Sequence, residues 1–280
     1  MLLNPLKFYA PTTLDEVREL YFSLDNVKLQ AGGTFLLSAL KHMKHRGTKT
    51  PEHVICLQKV RDLKGISASD THLTIKAMTP IIDLYESPLL KDNFSVFRIV
   101  CRNISTQQIR NMATVGGNLT CRYTWTEMPA VMVGLEATMH FIDAQGKEET
   151  LAAENFYKNS AKTDKLFTHV AIPRDKNCRI AYRRVKKSQY VDIPLLSLLI
   201  KTTFQGKKFT NTRVSVNNCV VFAQRDKNLE NFLNQNSTDA KLPELALDHL
   251  DKTIYDTRSN DYKQHMFRVN IKDALAELIK

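Results

Sequence analysis

Hydrophobic and polar positions change period several times along the first sixty residues. Thr13-Leu14-Asp15-Glu16 has the spacing of a capping box and predicts a helix running to about Leu24. VKLQ, residues 27–30, then reads as a short strand. Leu36, Leu37, Leu40 and Met43 recur at helical spacing, and Gly47 stops that helix. HVICL (53–57) reads as a second strand, which makes a strand–loop–helix–strand unit. THLTIKAM (71–78) is a further strand. Helices are expected after Pro80 and over FSVFRIVCRNI (94–104), where Phe94, Phe97, Val100, Cys101 and Ile104 share one face.

Residues 105–118 are polar and read as a loop. Pro129 suits the first turn of a short helix, AVMVGLEA. ATMHFID and EETLAAE flank Ala144-Gln145-Gly146-Lys147 as a hairpin, and LFTHVAIP is a strand closed by Pro173. From about residue 177 the pattern is strand-rich again, through CRIAYRRV, PLLSLLIKTTF and TRVSVNNCVVF, with a turn at Gln205-Gly206-Lys207. The last forty residues read as helices around the polar segment TRSNDYK. A boundary near 176 divides the chain into residues 1–176 and 177–280.

Composition narrows this picture. The chain has 280 residues, 43% hydrophobic and 25% charged, an ordinary globular balance. No apolar run reaches the length of a membrane helix, and the N-terminal MLLNPLKFYAPTT lacks the features of a secretory signal. A cytoplasmic location is the expectation. Five cysteines at wide spacings, with no CxxC, argue against a disulfide framework, a zinc site or an iron–sulfur cluster held by this chain alone. The net charge of +11 is spread over KHMKHRGTK (41–49), YRRVKK (182–187) and QGKKF (205–209), with no nucleic-acid motif beside it. A solvated basic surface, or one that docks on an acidic partner, is favoured over nucleic-acid binding. His42 and His45 share a helix face but lack further ligands, so a basic solvated face is favoured there over a metal, and no metal ligand is assigned. No catalytic triad can be picked out.

The candidate chemistry lies in two near-repeats, AGGTFLL (31–37) and TVGGN (114–118), which hold four of the nine glycines. A glycine pair admits positive φ and close approach of a ligand. Consecutive N–H groups can then point into one concavity that binds phosphate oxygens, reinforced by a following helix N-terminus. A neighbouring threonine hydroxyl adds a hydrogen bond. Two such cups could meet on one diphosphate, as in a dinucleotide. A glycine pair after a strand can equally be only a turn. Neither GxGxxG nor GxxxxGK[ST] is present, so neither a Rossmann fold nor a P-loop is signalled.

These segments also carry a resemblance. AGGTFLL, LQKVRDLKGI, STQQIRNMATVGGNL, DKLFTHVAIP, YRRVKKSQYVDIPLLSLLI and DTRSNDYKQHMFRVNIKDAL occur in the order of the FAD-binding subunits of the molybdenum hydroxylases. That group includes the flavin parts of xanthine dehydrogenase and aerobic carbon monoxide dehydrogenase. The resemblance implies an α+β fold: a vanillyl-alcohol-oxidase (PCMH-type) FAD-binding domain of two α+β subdomains, then a small domain with an antiparallel sheet and helices. It implies FAD held by Ala31, Gly32, Gly33, Thr34, Phe35, Leu36 and Leu37 and by Thr114, Val115, Gly116, Gly117 and Asn118. Ile104 and Phe167 fall where the family places apolar contacts to the cofactor. Arg183 or Arg184 falls near a basic residue aimed at the flavin.

The implied role is electron transfer without acid–base chemistry of its own. Electrons would come from [2Fe–2S] clusters on a small subunit, beside a molybdopterin-binding large subunit, and pass through FAD to NAD+ or another acceptor. Phe35 departs from the polar residue, often Asp, that usually follows AGGT. Thr126 stands where the family commonly has Asp, in a segment, TCRYTWTEMP, that is one residue shorter and contains Tyr123 and Trp125. Alternatives are a free-standing FAD oxidoreductase of the same fold and a basic binding module that has lost FAD.

Overall fold

The computed structural model describes residues 5–158, 163–186, 193–218, 222–256 and 260–280. Cys219, Lys187 of the second basic cluster and the first residues of TRSNDYK lie outside the described residues.

The first layer is a parallel sheet of β1 (Lys7–Tyr9), β2 (Val27–Gln30) and β3 (His53–Cys56), in the order β1-β3-β2. Helix α1 (Leu14–Ser23) begins where the capping box predicts: the Thr13 hydroxyl accepts from the Glu16 amide at 3.2 Å. Helix α2 (Leu36–His45) connects β2 to β3, and His42 and His45 are exposed on it. Val17, Ile55, Leu57, Val60, Leu63, Met78 and Leu166 form the core of this layer.

The second layer is an antiparallel sheet of β4 (Ile66–Ala68), β5 (His72–Lys76), β6 (Thr138–Ile142), β7 (Glu148–Ala152) and β8 (Leu166–Pro173), ordered β4-β5-β8-β6-β7. Its helices are α3 (Ile81–Glu86), α4 (Val96–Asn103), α5 (Gln107–Met112), α6 (Val115–Thr120), α7 (Met128–Gly134) and α8 (Ala153–Lys158). A 3-10 turn at Asp92–Ser95 leads into α4, so Phe94 precedes the helix while Phe97, Val100 and Cys101 sit buried on its inner face.

Two sequence expectations are corrected here. Residues 105–118 are not one loop. The Thr106 hydroxyl caps α5 through the Ile109 amide, and the Thr114 hydroxyl caps α6 through the Gly117 amide at 3.1 Å. Gly116 and Gly117 therefore lie in the first turn of a helix, where tertiary contact overrides glycine's poor helix propensity. The second hairpin strand also ends earlier than EETLAAE suggests, because α8 starts at Ala153.

The third layer is an antiparallel sheet of β9 (Arg179–Lys186), β10 (Pro194–Gln205), β11 (Lys208–Asn217) and β12 (Gln224–Arg225), ordered β12-β11-β10-β9. Helices α9 (Lys227–Gln235), α10 (Leu242–Leu245), α11 (Lys252–Tyr255) and α12 (Asp261–Ile279) cover it. Leu198, Ile200, Val214, Phe267, Ile271 and Leu275 are in its core. Tyr182, Leu199 and Ala223 instead reach back into the core of the second layer. Among the described residues no helix is long and apolar enough to cross a membrane.

Helix α7 joins the second and third layers. The Ser215 hydroxyl donates to the Ala130 carbonyl at 2.6 Å, and Gly134 lies where a Cβ would meet Leu199 Cδ2 at 2.5 Å and Ser215 Oγ at 2.6 Å. Gly134→Ala overpacks this seam. It is expected to cost about 1–3 kcal/mol, read as a lower urea midpoint with an unchanged slope.

Candidate functional site

Two backbone segments from different layers touch where the glycines sit. The segment Ala31–Thr34 leaves β2 and turns back at Gly33, whose φ of +70° is the left-handed conformation that glycine tolerates best. Gly32 lies against the end of α5: a Cβ there would be 2.0 Å from the Met112 carbonyl oxygen and 2.9 Å from Ala113 Cα. No side chain fits in that gap. Ala31 faces the second pair, with its Cβ 3.6 Å from where a Cβ on Gly117 would be. The two glycine pairs, more than eighty residues apart in the chain, thus form one continuous surface.

Their hydrogen bonding differs. In the second pair the amides are used internally. Val115 donates to the Thr79 carbonyl at 2.9 Å, Gly116 to Ala77 at 2.7 Å, Gly117 to Thr114 Oγ1 at 3.1 Å and Asn118 to the Thr114 carbonyl at 3.0 Å. Gly116 is glycine because its Cα side presses on Ala77, where a Cβ would be 2.6 Å from the carbonyl oxygen. The expected amide cup is therefore absent at the second pair; close packing accounts for Gly116.

The first pair is the reverse. No described hydrogen bond uses the amides of Gly32, Gly33, Thr34 or Phe35. They lead into α2, whose N-cap is Phe35; no side chain caps this helix, and its first turn has no acidic residue. Compare α1, with Asp15 and Glu16 in its first turn. An uncapped helix start preceded by unpaired amides is an anion-binding arrangement.

Beside this surface, Asn118 Oδ1 is buried without a partner, a costly condition unless a ligand donor meets it. Thr34 is exposed, whereas the Thr114 hydroxyl is committed as a helix cap. Leu36 is half-buried and Leu37 is exposed. Phe35, the departure in the first segment, meets Tyr123 and Trp125, the departures in the second. Tyr123 and Trp125 stack at 4.4 Å between centroids and 16° between planes, and Phe35 approaches Tyr123 edge-on at 4.5 Å. Phe35 and Trp125 remain 40% and 38% exposed, so these rings are not core packing. Arg122 (φ +54°) anchors the segment, its guanidinium lying over Phe156 and Phe222.

Other predicted residues sit elsewhere. Ile104 caps α4 half-buried, its carbonyl accepting from Arg110 at 3.0 Å. Phe167 is half-buried on β8 beside Phe141, at 5.5 Å. The Thr126 hydroxyl is buried and donates to the Tyr123 carbonyl at 2.8 Å, so it props the aromatic segment from beneath.

Arg183 and Arg184 point to opposite faces of β9, since strand side chains alternate. Arg183 pairs with Glu277 on α12 and is turned away from the second layer. Arg184 pairs with buried Glu127, whose other oxygen accepts from the Tyr182 hydroxyl at 2.7 Å. Burial, then the Glu127 carboxylate, raises the Tyr182 phenol well above its usual pKa, so it stays a donor. Cys101 is buried nearby and is pushed up to about 12, mainly by burial, so it stays a thiol. The Arg184 charge is thus paired with Glu127 inside the protein. Sequence reading missed Glu127 as its partner. The only signal was an acidic residue next to Thr126, and the pairing needs the fold.

A family-wide sequence profile described as FAD binding domain in molybdopterin dehydrogenase matches residues 4–175. The glyceraldehyde dehydrogenase medium chain of Sulfolobus acidocaldarius is 24% identical over 207 residues, 72% of each chain. The carbon monoxide dehydrogenase medium chain of Afipia carboxidovorans is 26% identical over 224 residues, 78% of this chain and 76% of its own. In fold, the chain is similar to a solved chain of carbon monoxide dehydrogenase from Hydrogenophaga pseudoflava, with a TM-score of 0.87 at 22% identity, over 99% of this chain and 98% of that one.

Glu127→Ala strips the partner from a buried arginine and is expected to cost about 3–5 kcal/mol. Tyr182→Phe, which removes one donor to the buried Glu127 carboxylate, should cost about 1.5–3 kcal/mol. Urea unfolding of the two variants side by side checks the ranking.

Proposed function

This chain belongs to the family of FAD-binding domains of molybdopterin dehydrogenases, and from that premise we propose that it is the flavin-carrying electron-transfer subunit of a molybdenum hydroxylase complex. The observation that carries the reading is the contact of Gly32 with Met112 and Ala113, which sets unpaired amides, an uncapped helix and Gly117 side by side. The residues present fit FAD on two counts. The unpartnered Asn118 Oδ1 awaits a donor, such as a ribityl or ribose hydroxyl, and Gly117 presents no side chain of its own beside Ala31 and Thr114.

In this reading the amides of Gly32, Gly33 and Thr34, with the N-terminus of α2, hold the diphosphate oxygens. Gly117 admits the diphosphate closely and Asn118 fixes a hydroxyl. Phe35, Tyr123 and Trp125 offer a ring face to a planar part of the dinucleotide, a contact worth about 0.5–1.5 kcal/mol per ring pair beyond area burial. FAD, when bound, supplies the exchange between single electrons and a hydride. The chain's share is to bind it, orient it and exclude water from it. Arg184, locked to Glu127, adds little positive charge to a bound flavin.

The same proposal divides the chain at residue 176 into a FAD-binding unit and a covering unit. It places a molybdopterin-binding large subunit and a [2Fe–2S] small subunit as partners, and NAD+ or another acceptor as the exit. Similarity to the medium chains of carbon monoxide dehydrogenase and glyceraldehyde dehydrogenase supports those partners. The described cysteines Cys56, Cys101, Cys121 and Cys178 are separate free thiols, in keeping with clusters carried by another chain.

Two measurements test this. Trp125 is the sole tryptophan, so titrating the flavin-free chain with FAD should quench its emission to saturation at one FAD per chain. Protein that stays colourless and unquenched with excess FAD overturns the reading. Gly117→Val puts a branched side chain against Ala31 and the Thr114 hydroxyl, which must shift slightly, at a helical backbone position with no positive φ to strain it. Bound flavin should fall by about tenfold or more, equivalent to the roughly 1.4 kcal/mol of a tenfold affinity change, with the far-UV spectrum retained. Full flavin content in that variant moves the site elsewhere.

A further inference from the structure

Away from the glycine surface, the register of the second sheet gathers three potential metal ligands, two from one hairpin and one from the next strand in the sheet. His140 on β6 stands directly opposite His169 on β8. Their imidazoles stack with centroids 4.0 Å apart and planes 20° apart. Glu148, on the edge strand β7 beside β6, brings its carboxylate within 2.5 Å of His140 Nδ1. One ligand atom from each of the three lies within 4.8 Å of the others.

The second His is already oriented. The Thr168 hydroxyl donates to the His140 carbonyl at 3.2 Å, so toward His169 Nδ1, at 3.0 Å, its oxygen is left to accept. That holds the proton on Nδ1 and leaves the Nε2 lone pair of His169 free, the tautomer a metal requires. No described hydrogen bond uses Nε2 of either histidine.

We infer that His140, His169 and Glu148 form a binding site for a first-row divalent ion of the Zn2+ class, with water in the fourth position. Two imidazoles and one carboxylate are a common zinc donor set, and imidazole-rich sites favour zinc, nickel and copper over magnesium or calcium. Metal–nitrogen distances of about 2.0–2.1 Å require the two stacked imidazoles to turn about their side-chain bonds until their ring nitrogens converge. Lys76 on β5 stands opposite His169 on its other side, and its charge moderates the affinity. The ion would tie β8, β6 and the edge strand β7 together, adding a cross-link to strands already joined by their ladders and by side-chain contacts such as Thr168 to the His140 carbonyl. The site is independent of the flavin reading.

The test uses the untagged, chelator-treated full chain. Calorimetric titration with zinc chloride should show one ion per chain, and cobalt(II) should develop the visible bands of a four-coordinate site. His140→Ala and His169→Ala should each lower zinc affinity by about tenfold or more, while His72→Ala, exposed at the start of β5, should bind as the parent does. Zinc should raise the melting temperature of the parent and not of His169→Ala. Glu148→Gln, on the exposed edge, carries little risk to folding and should weaken binding in the same direction. No zinc binding by the parent, or binding that survives either histidine variant, overturns the site. Unchanged affinity in Glu148→Gln overturns the three-ligand assignment. Gly117→Val, with its flavin reduced, should bind zinc normally, which separates this result from the fate of the flavin site.

Discussion

The site depends on a missing side chain. Gly32 presses its Cα against the Met112 carbonyl and Ala113, and even a methyl group would sit 2.0 Å from that oxygen. Only glycine lets a turn of the first, parallel layer touch the helical segment of the second. Were those segments held apart by one side chain, the unpaired amides before α2 and the bare backbone at Gly117 would belong to two separate surfaces.

Within that contact the two glycine pairs do different work, although their sequences look alike. Gly32 and Gly33 leave donors unpaired and pass them to an uncapped helix with no competing carboxylate. Gly116 and Gly117 spend theirs on Ala77 and on the Thr114 cap, and contribute closeness instead of hydrogen bonds. Satisfying a buried amide inside the protein is the default, so the unpaired set at Gly32–Phe35 is the more informative half. The sequence profile spans residues 4–175, which include both glycine pairs.

The departures from the family pattern also form one arrangement. Phe35 meets Tyr123 and Trp125, in the segment that is one residue shorter than the family pattern. Thr126 braces the stack from below, and next to it Glu127 holds Arg184 and Tyr182 of the third layer. A change near the ligand surface is thereby coupled to the seam between layers. A buried ion pair of this sort is weak support for stability in itself. It does fix which face of β9 looks inward.

Much of the architecture was legible from local chemistry. The capping box at Thr13, the strand before the first glycine pair, the hairpin at Gln145-Gly146 and the long strands after 177 all follow from periodicity and turn residues, which act over a few positions. The AGGT and VGGN segments could be nominated as a site because glycine pairs are costly to keep without a reason. Other features were beyond reach of the sequence. In the polar stretch 105–118, α5 is started by the Thr106 cap, and α6 forms because tertiary contacts outweigh the poor propensity of Gly116 and Gly117. The split between donating and satisfied amides depends on which carbonyls lie opposite, and the opposite facing of Arg183 and Arg184 depends on what packs on each side of β9. The meeting of His140, Glu148 and His169 is set by strand register across three strands. Hydrophobic period and capping are written in neighbouring residues, while pairing across layers is decided only when the whole chain has packed, and that is where the chemistry of this protein resides.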